Sequence, residues 1–212
     1  MAYYFDLDGT LLDNGPRHYA VYCDILRALS QAALPMERYW SLKRSATPNA
    51  QIVGACAPEF SKRWLEQIEL PAYLRLDTVL PGVQELLGAL RPHGPVVLVT
   101  MRQSASALQR QLRELHLAAY FDAVLVAGQH GGGWREKAAL IRHFDSHPDG
   151  WLVGDTEADV LAAQAVGIQA CAVAWGIRSP EFLAQLQPTI LVANLSELAR
   201  LFTSNSHTVS VK

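Results

Sequence analysis

Two aspartates near the start of the sequence are the strongest candidates for chemistry. Asp6 and Asp8 belong to the string Asp-Leu-Asp-Gly-Thr, which directly follows the apolar run Ala2 to Phe5. In an extended chain, residues two apart point to the same side, so these carboxylates repel each other unless a cation or a shared proton reconciles them. Gly9 lets the chain turn closely around a ligand. An acidic turn that merely ends a strand is the alternative, but the complete string favours a functional site.

Two further candidates stand at a strand end and at a helix start. Thr100 ends the apolar run 95–99, where its hydroxyl can either donate to a phosphoryl oxygen or cap a helix. Lys137 opens a helical pattern and can either neutralise phosphoryl charge or be an ordinary surface lysine. The glycines before it, 131–133, lack the spacing of a phosphate-binding loop, and we interpret them as a flexible connection.

A second acidic pair follows the apolar run Trp151 to Val153, in the string Gly-Asp-Thr-Glu-Ala-Asp. Asp155 stands at the end of this run, where a carboxylate suits a hard cation. Thr156 and Asp159 have the spacing of a capping box. Asp159 can therefore stabilise the helix start, face the same crevice as Asp155, or do both.

Apolar runs alternate with helical patterns along most of the chain, which predicts elements to position these residues. The predicted strands cover 2–5, 95–99, 123–126, 151–153 and 170–174. Predicted helices begin near residues 81, 105, 156 and 180. Continuous apolar strands are typical of parallel sheets covered on both faces. The pattern therefore predicts an α/β fold with a doubly wound, mostly parallel sheet, whose ligands bind beyond the carboxyl ends of its strands.

One long stretch, residues 14–78, breaks this alternation. It shows no convincing strand, and its aromatic and apolar residues recur at helical spacing. We interpret it as a helical segment inserted after the first strand. The remaining residues, 1–13 and 79–203, are then the α/β core, and the polar residues 204–212 form a flexible tail.

The composition narrows the function classes. Half of the 212 residues are hydrophobic, and 18 basic residues against 20 acidic ones leave no basic excess for binding a nucleic-acid backbone. No apolar run is long enough to span a bilayer, and the first residues do not resemble a secretory signal. The three widely spaced cysteines fit a reducing compartment. We expect a cytoplasmic protein that acts on a small molecule, without nucleic-acid or membrane partners.

The order of the candidate groups resembles the motif set of the haloacid dehalogenase superfamily, and in particular its phosphatases similar to phosphoglycolate phosphatases. The resemblance runs from Tyr4 to about Phe202 and is carried by the first and the last acidic strings. Thr100 and Lys137 are matched by their place between those strings. Met101 stands where many relatives carry asparagine, and Ala138 stands where proline is frequent, which weakens assignment to a particular subfamily.

The resemblance implies catalytic roles for four of these residues. Asp6 would attack phosphorus and become an aspartyl phosphate. Asp8 would protonate the leaving oxygen and then accept a proton from the hydrolytic water. Thr100 and Lys137 would hold the phosphoryl oxygens.

The resemblance also implies a bound Mg²⁺. Its ligands would be Asp6, the backbone carbonyl of Asp8, and Asp155, with Asp159 assisting directly or through water. A site with four carboxylates and one lysine would otherwise be too negative to accept a phosphate dianion.

Residues 14–78 would form the helical cap that such enzymes place over a small phosphorylated metabolite. Arg17 in this segment and Arg102 in the core are expected to contact substrate. His18, Lys43 and Arg44 are further candidates for the far end of a substrate. We expect a monomer or a homodimer.

Four other functions are weighed against this one. A phosphomutase is less favoured, because mutases often have valine or isoleucine where Thr10 stands. A receiver-like signalling domain would carry its phosphoacceptor on the third strand and has no place for the helical insertion. A non-catalytic binding scaffold would be expected to have lost at least one of these polar residues. Dehalogenation is disfavoured, since Asp8 is the acid that phosphatases need.

Overall fold

The structure, a computed structural model, describes residues 1–127, 133–146 and 148–204. The strands in these ranges are β1 (Ala2–Phe5), β2 (Leu12–Asp13), β3 (Thr78–Val79), β4 (Val96–Thr100), β5 (Ala123–Val126), β6 (Gly150–Gly154), β7 (Gln169–Val173) and β8 (Ile190–Val192). The α-helices are α1 (Gly15–Ala28), α2 (Met36–Arg44), α3 (Asn49–Val53), α4 (Ala57–Gln67), α5 (Pro71–Leu74), α6 (Val83–Leu90), α7 (Ala105–Glu114), α8 (Gly133–Phe144), α9 (Glu157–Val166), α10 (Pro180–Gln185) and α11 (Leu195–Ser204).

Six strands form one parallel sheet in the order β5-β4-β1-β6-β7-β8. The first strand lies near the centre, where Tyr4 pairs with Val97 on one side and with Leu152 on the other. Every residue of β1 and of β4 is buried, because two separate apolar clusters use alternate residues of these strands. The prediction of an α/β fold with a doubly wound parallel sheet is confirmed.

The predicted strands agree with the observed ones to within one residue at each end. The helix predicted to begin at Pro81 begins at Val83 instead, because Gly82 has a left-handed backbone conformation with φ of 90°. Ser104 caps α7 through its side chain, which accepts a hydrogen bond from the Ala107 N–H at 3.2 Å. Helix α7 follows the end of β4, so its start lies at the carboxyl edge of the six-stranded sheet.

The chain leaves and re-enters the region of the sheet through a short antiparallel pair. Leu12 pairs with Val79, and Asp13 pairs with Thr78. Between these strands lie α1 to α5, which share an apolar cluster of their own. In that cluster Tyr22 and Tyr39 stack with ring centroids 4.4 Å apart. The division into a core of 1–13 and 79–203 and a cap of 14–78 stays a prediction.

Two predictions from the sequence fall partly on residues outside the described ranges. Helix α11 includes Ser204, the first residue of the predicted tail, while 205–212 lie outside the described residues. Of the predicted glycine connection, 131 and 132 also lie outside them. Among the described residues, no helix has the length and apolar character needed to cross a membrane.

Candidate active site

Three aspartates converge at the carboxyl edge of the sheet. Asp6 follows β1, Asp155 follows the neighbouring strand β6, and Asp159 lies in the first turn of α9. One oxygen of each carboxylate lies within 4.8 Å of the others, and all three side chains are buried. The sheet register explains this convergence, because adjacent parallel strands end side by side.

The ammonium group of Lys137 joins two of these carboxylates. Its Nζ donates to Oδ1 of Asp6 and to Oδ1 of Asp159, each at 2.6 Å. Burial lowers the pKa of Lys137, but attraction by Asp159 and Asp6 outweighs burial, so the pKa lies well above its usual value and the group is charged. One ammonium among three carboxylates leaves a net charge equal in size to that of one divalent cation.

Burial and repulsion between the carboxylates raise the pKa values of two of these aspartates, Asp6 and Asp155. Burial raises the pKa of Asp6 to about 7, although Lys137 acts in the opposite direction. Burial, followed by repulsion from Asp6 and Asp159, raises the pKa of Asp155 well above its usual value. A cluster of buried carboxylate oxygens with uncompensated charge is the donor set that a hard cation such as Mg²⁺ prefers. The residues present therefore fit the metal that the sequence predicts.

The carboxylate of Asp155 is fixed in direction by the backbone around it. The N–H of Ile177 donates to its Oδ2 at 2.6 Å, and the Thr10 hydroxyl donates to its Oδ1 at 3.2 Å. A Cβ atom at Gly9 or at Gly176 would collide with the same carboxylate. Glycine is thus required at both positions for the two loops to approach Asp155.

Asp8 is turned away from the three-aspartate cluster and toward two arginines. Its Oδ2 lies 2.5 Å from Nε of Arg102, its Oδ1 lies 2.8 Å from Nη2 of Arg102, and Oδ1 also accepts from Nη2 of Arg17. Burial alone would raise the pKa of Asp8, but Arg102 and Arg17 outweigh it and hold that pKa below its usual range. Of the four predicted metal ligands, the side chain of Asp8 alone is outside the cluster, in keeping with a ligand role for its backbone carbonyl.

A cavity of about 240 Å³ brings most of the predicted residues together. Its polar lining includes Asp6, Asp8, Arg17, His18, Thr100, Arg102 and Lys137. The Thr100 hydroxyl is buried there and accepts from the backbone N–H of Arg102 at 3.4 Å. The cavity therefore places a candidate nucleophile, three cationic side chains and a hydroxyl around one small volume.

The remaining candidates lie elsewhere. Arg44 lines a larger and mostly apolar cavity of about 470 Å³, and it donates to the carbonyl of Gly176 at 3.2 Å. Lys43 donates to Oδ1 of Asn49 at 3.3 Å. We place the site in the smaller cavity, because the charged groups converge there.

Several residues that support the site were missed by the sequence analysis. The carboxylate of Glu69 accepts from the backbone N–H groups of Gln103 at 2.7 Å and Ser104 at 2.9 Å. Arg178 makes two 2.7 Å contacts with Glu157 and donates to the carbonyl of Lys43 at 2.8 Å. Neither Glu69 nor Arg178 belongs to a motif. The contacts of Glu69 and Arg178 join the inserted helices to the loops at the sheet edge.

Replacing Lys137 by methionine is expected to destabilise the metal-free protein. The change leaves buried carboxylates without their ammonium partner, at a cost of about 3–5 kcal/mol. In a chain of this size, that corresponds to a Tm lower by roughly 6–20 °C. Thermal unfolding in the presence of a chelator measures the effect. Lys62→Met, at an exposed position of α4, is the matched control and should leave Tm unchanged. A Lys137→Met protein as stable as wild type would contradict this account of the charges.

Comparison with known proteins agrees with the geometry. The family model described as haloacid dehalogenase-like hydrolase matches residues 1–167. A phosphoglycolate phosphatase of Cupriavidus necator is 31% identical, over 95% of this chain and 93% of its own. The probable phosphatase IndB of Dickeya dadantii is 28% identical, over 92% of this chain and 90% of its own.

The fold is also found among solved structures. A haloacid dehalogenase-like family hydrolase from Streptococcus pneumoniae has a TM-score of 0.77 to this structure, with 21% identity, covering 95% of this chain and 97% of its own. Together with the family match, these relatives confirm the prediction of a hydrolase of the phosphatase type. The chain belongs to the haloacid dehalogenase-like hydrolase family.

Proposed function

We propose that this protein is a Mg²⁺-dependent phosphatase that hydrolyses small phosphate monoesters through an aspartyl phosphate on Asp6. The observation that carries the proposal is the placement of Asp6. Its carboxylate lies in the cavity, is held by the buried ammonium of Lys137, and adjoins Asp155 and Asp159. A nucleophilic carboxylate beside groups that can neutralise phosphoryl charge is what covalent phosphoryl transfer needs.

The first step forms a bond between an Asp6 oxygen and phosphorus while the bond from phosphorus to the leaving oxygen breaks. Lys137 and Thr100 would hold the phosphoryl oxygens during this step. Asp6, Asp155 and Asp159, with the backbone carbonyl of Asp8, would hold Mg²⁺. When bound there, Mg²⁺ neutralises the negative charge of the carboxylates and of the phosphoryl group.

Asp8 would handle the protons. In the second step a water oxygen attacks phosphorus, the water proton passes to Asp8, and the bond to Asp6 breaks to release phosphate. The two arginines keep Asp8 ionised here, which is the form that accepts this proton. To donate a proton to the leaving oxygen in the first step, Asp8 must be released from part of its arginine contacts. A substrate anion that competes for Arg17 and Arg102 would release it.

The proposed substrate is a small phosphorylated metabolite, because a cavity of about 240 Å³ admits little beyond a phosphoryl group and a short leaving group. Phosphoglycolate is the first candidate, since relatives named for that substrate cover nearly the whole chain. The cytoplasmic location, the monomeric or homodimeric state, and the absence of nucleic-acid and membrane partners stay predictions.

A panel of phosphate esters tests the proposal. Phosphoglycolate, sugar phosphates and nucleotides are incubated with the protein in Mg²⁺ and, separately, in EDTA. We expect phosphate release from small esters in Mg²⁺ and none in EDTA. Equal release in EDTA would contradict the metal requirement. Transfer of the phosphoryl group to an added sugar phosphate, in place of its release, would favour the phosphomutase alternative.

The Asp8→Asn variant should slow the hydrolysis of alkyl phosphate esters more than that of aryl phosphate esters. Loss of the proton donor is expected to slow turnover of an alkyl ester by about 10²–10⁴-fold. An aryl ester, whose leaving oxygen needs no proton, should lose less in its first step, so that the phosphoenzyme accumulates. Rapid-quench measurement of bound phosphate detects this species. An unchanged steady-state rate on the alkyl ester would refute the acid–base role of Asp8.

A further inference from the structure

We propose that Asp77 is a positioning residue that holds Arg17 and Arg102 as a pair in the cavity. The inference rests on the proposed function, since both arginines line the cavity assigned to substrate. Asp77 lies between α5 and β3, at the end of the inserted segment, and its side chain has no exposed surface. It belongs to no motif, and nothing in the sequence pattern singled it out.

The carboxylate of Asp77 contacts both arginines and one amide. Its Oδ1 lies 2.9 Å from Nε of Arg17, an ion pair whose N–H is not aligned for a hydrogen bond. Its Oδ2 accepts from Nη2 of Arg102 at 3.3 Å and from Nε2 of Gln111 at 2.8 Å. The same Gln111 nitrogen donates to the carbonyl of Leu74 at 3.0 Å, which fixes the chain just before Asp77.

The contacts of Asp77 balance the charges of the two arginines. Each guanidinium touches both Asp8 and Asp77, so two buried cations share two carboxylates, of which Asp77 is buried and Asp8 is partly exposed. Buried charges are tolerated when they are paired, and the loss of one partner leaves the rest uncompensated. Without Asp77, two guanidiniums would compete for the single carboxylate of Asp8. Their positions in the cavity would then no longer be determined by contacts on two sides.

The geometry also separates the role of Asp77 from that of the arginines. Asp77 has no exposed surface, so it acts on a ligand through the arginines. Arg102, in contrast, lines the cavity, and its Nη1 is buried without a hydrogen-bond partner among the described residues. A buried N–H in a cavity wall without an acceptor costs free energy, unless a ligand oxygen accepts its hydrogen bond. Asp77 thus holds in place a guanidinium that still has a hydrogen bond to give.

A double-mutant cycle on Asp77→Asn and Arg17→Gln tests the inference. Each single variant is expected to lower kcat/KM by about tenfold or more, on the ester that the panel identifies. Independent effects would multiply to about a hundredfold in the double variant. If Asp77 acts through the arginines, the double variant should instead be no more than about threefold worse than Arg17→Gln alone. The same cycle is measured in the Kd for inorganic phosphate, which needs no turnover.

The controls separate positioning from folding and from the proposed function. Glu59→Gln removes an exposed carboxylate that is ion-paired on α4, and should leave kcat/KM unchanged. Multiplicative losses, or an Asp77→Asn rate within twofold of wild type, would overturn the inference while leaving the phosphatase activity intact. A wild type that neither hydrolyses esters nor binds phosphate would overturn both proposals.

A second variant covers the case in which Asp77→Asn does not fold. Gln111→Leu removes the hydrogen bond to Asp77 without altering any charge. We expect a folded Gln111→Leu protein to lose about threefold in kcat/KM, and to lose less in the Arg102→Gln background, because Gln111 and Arg102 share Oδ2 of Asp77. A wild-type rate from this folded variant would then count against a positioning role for Asp77.

Discussion

Replacing Asp6 by asparagine is expected to lower kcat by at least about 10⁴-fold while the protein stays folded. The amide has nearly the same shape, and its oxygen can still accept the 2.6 Å hydrogen bond from Lys137. It cannot form the covalent bond to phosphorus, so the two-step route is closed. Steady-state release of phosphate and the absence of radiolabel on the protein after acid quench measure the effect.

The direction in which Asp6→Asn changes the stability of the folded protein follows from the pKa of Asp6. Burial raises the pKa of Asp6 to about 7, so the folded metal-free protein binds more protons than the unfolded chain between about pH 4 and pH 7. The contribution of Asp6 to stability therefore falls as pH rises through this window. The variant lacks this loss and should be at least as stable as wild type at pH 8 without metal. Asp149→Asn, which changes an 85% exposed carboxylate, should alter neither rate nor stability. Full activity in Asp6→Asn would exclude it as the nucleophile.

Removal of the divalent metal is expected to abolish turnover and to lower Tm together. Mg²⁺ at a hundred times its Kd would stabilise the folded state by about 2.7 kcal/mol. For a chain of this length, that is a rise in Tm of about 5–10 °C. Thermal unfolding with EDTA, with Mg²⁺, and with NaCl of equal ionic strength separates specific binding from screening.

The order of stability of wild type and Asp155→Asn should differ between the metal-free and the Mg²⁺-bound state. In the metal-free protein the variant removes a carboxyl group whose ionised form is disfavoured by burial and by repulsion from Asp6 and Asp159, so it should be no less stable than wild type. In Mg²⁺ the wild type should be the more stable, because the variant has lost a metal ligand. An equal Mg²⁺-induced rise in Tm for both proteins would remove Asp155 from the ligand set. A rise in NaCl as large as in Mg²⁺ would argue against a specific metal site.

The sequence indicated the chemical groups at the sheet edge because strand ends are local features. Asp6, Thr100 and Asp155 each follow or end an apolar run, and a parallel sheet brings such ends to one side. The contacts of Asp77 were not predictable in the same way. Its partners Arg17 and Gln111 lie 60 and 34 residues away along the chain, and a single aspartate in a loop has no periodicity. Arg17 was expected to contact substrate, but its ion pair with Asp8 depends on how the inserted helices pack.

The order of the strands was also beyond the sequence pattern. Apolar runs predict that strands exist, whereas the strand order β5-β4-β1-β6-β7-β8 depends on how the strands pair in three dimensions. The strands β2, β3 and β8 were missed because each has only two or three residues. Periodicity cannot be read over so short a span.

The central position of β1 affects how the protein reaches its native state during synthesis. This strand precedes both of its neighbours along the chain, which begin only at Val96 and Gly150. A ribosome-bound chain shorter than that carries an apolar strand with unpaired edges, which invites aggregation or chaperone binding. The residue at its end, Asp6, is thus synthesised 149 residues before its neighbour Asp155. Premature termination anywhere before β6 would release a polypeptide that carries Asp6 without Asp155 and Asp159.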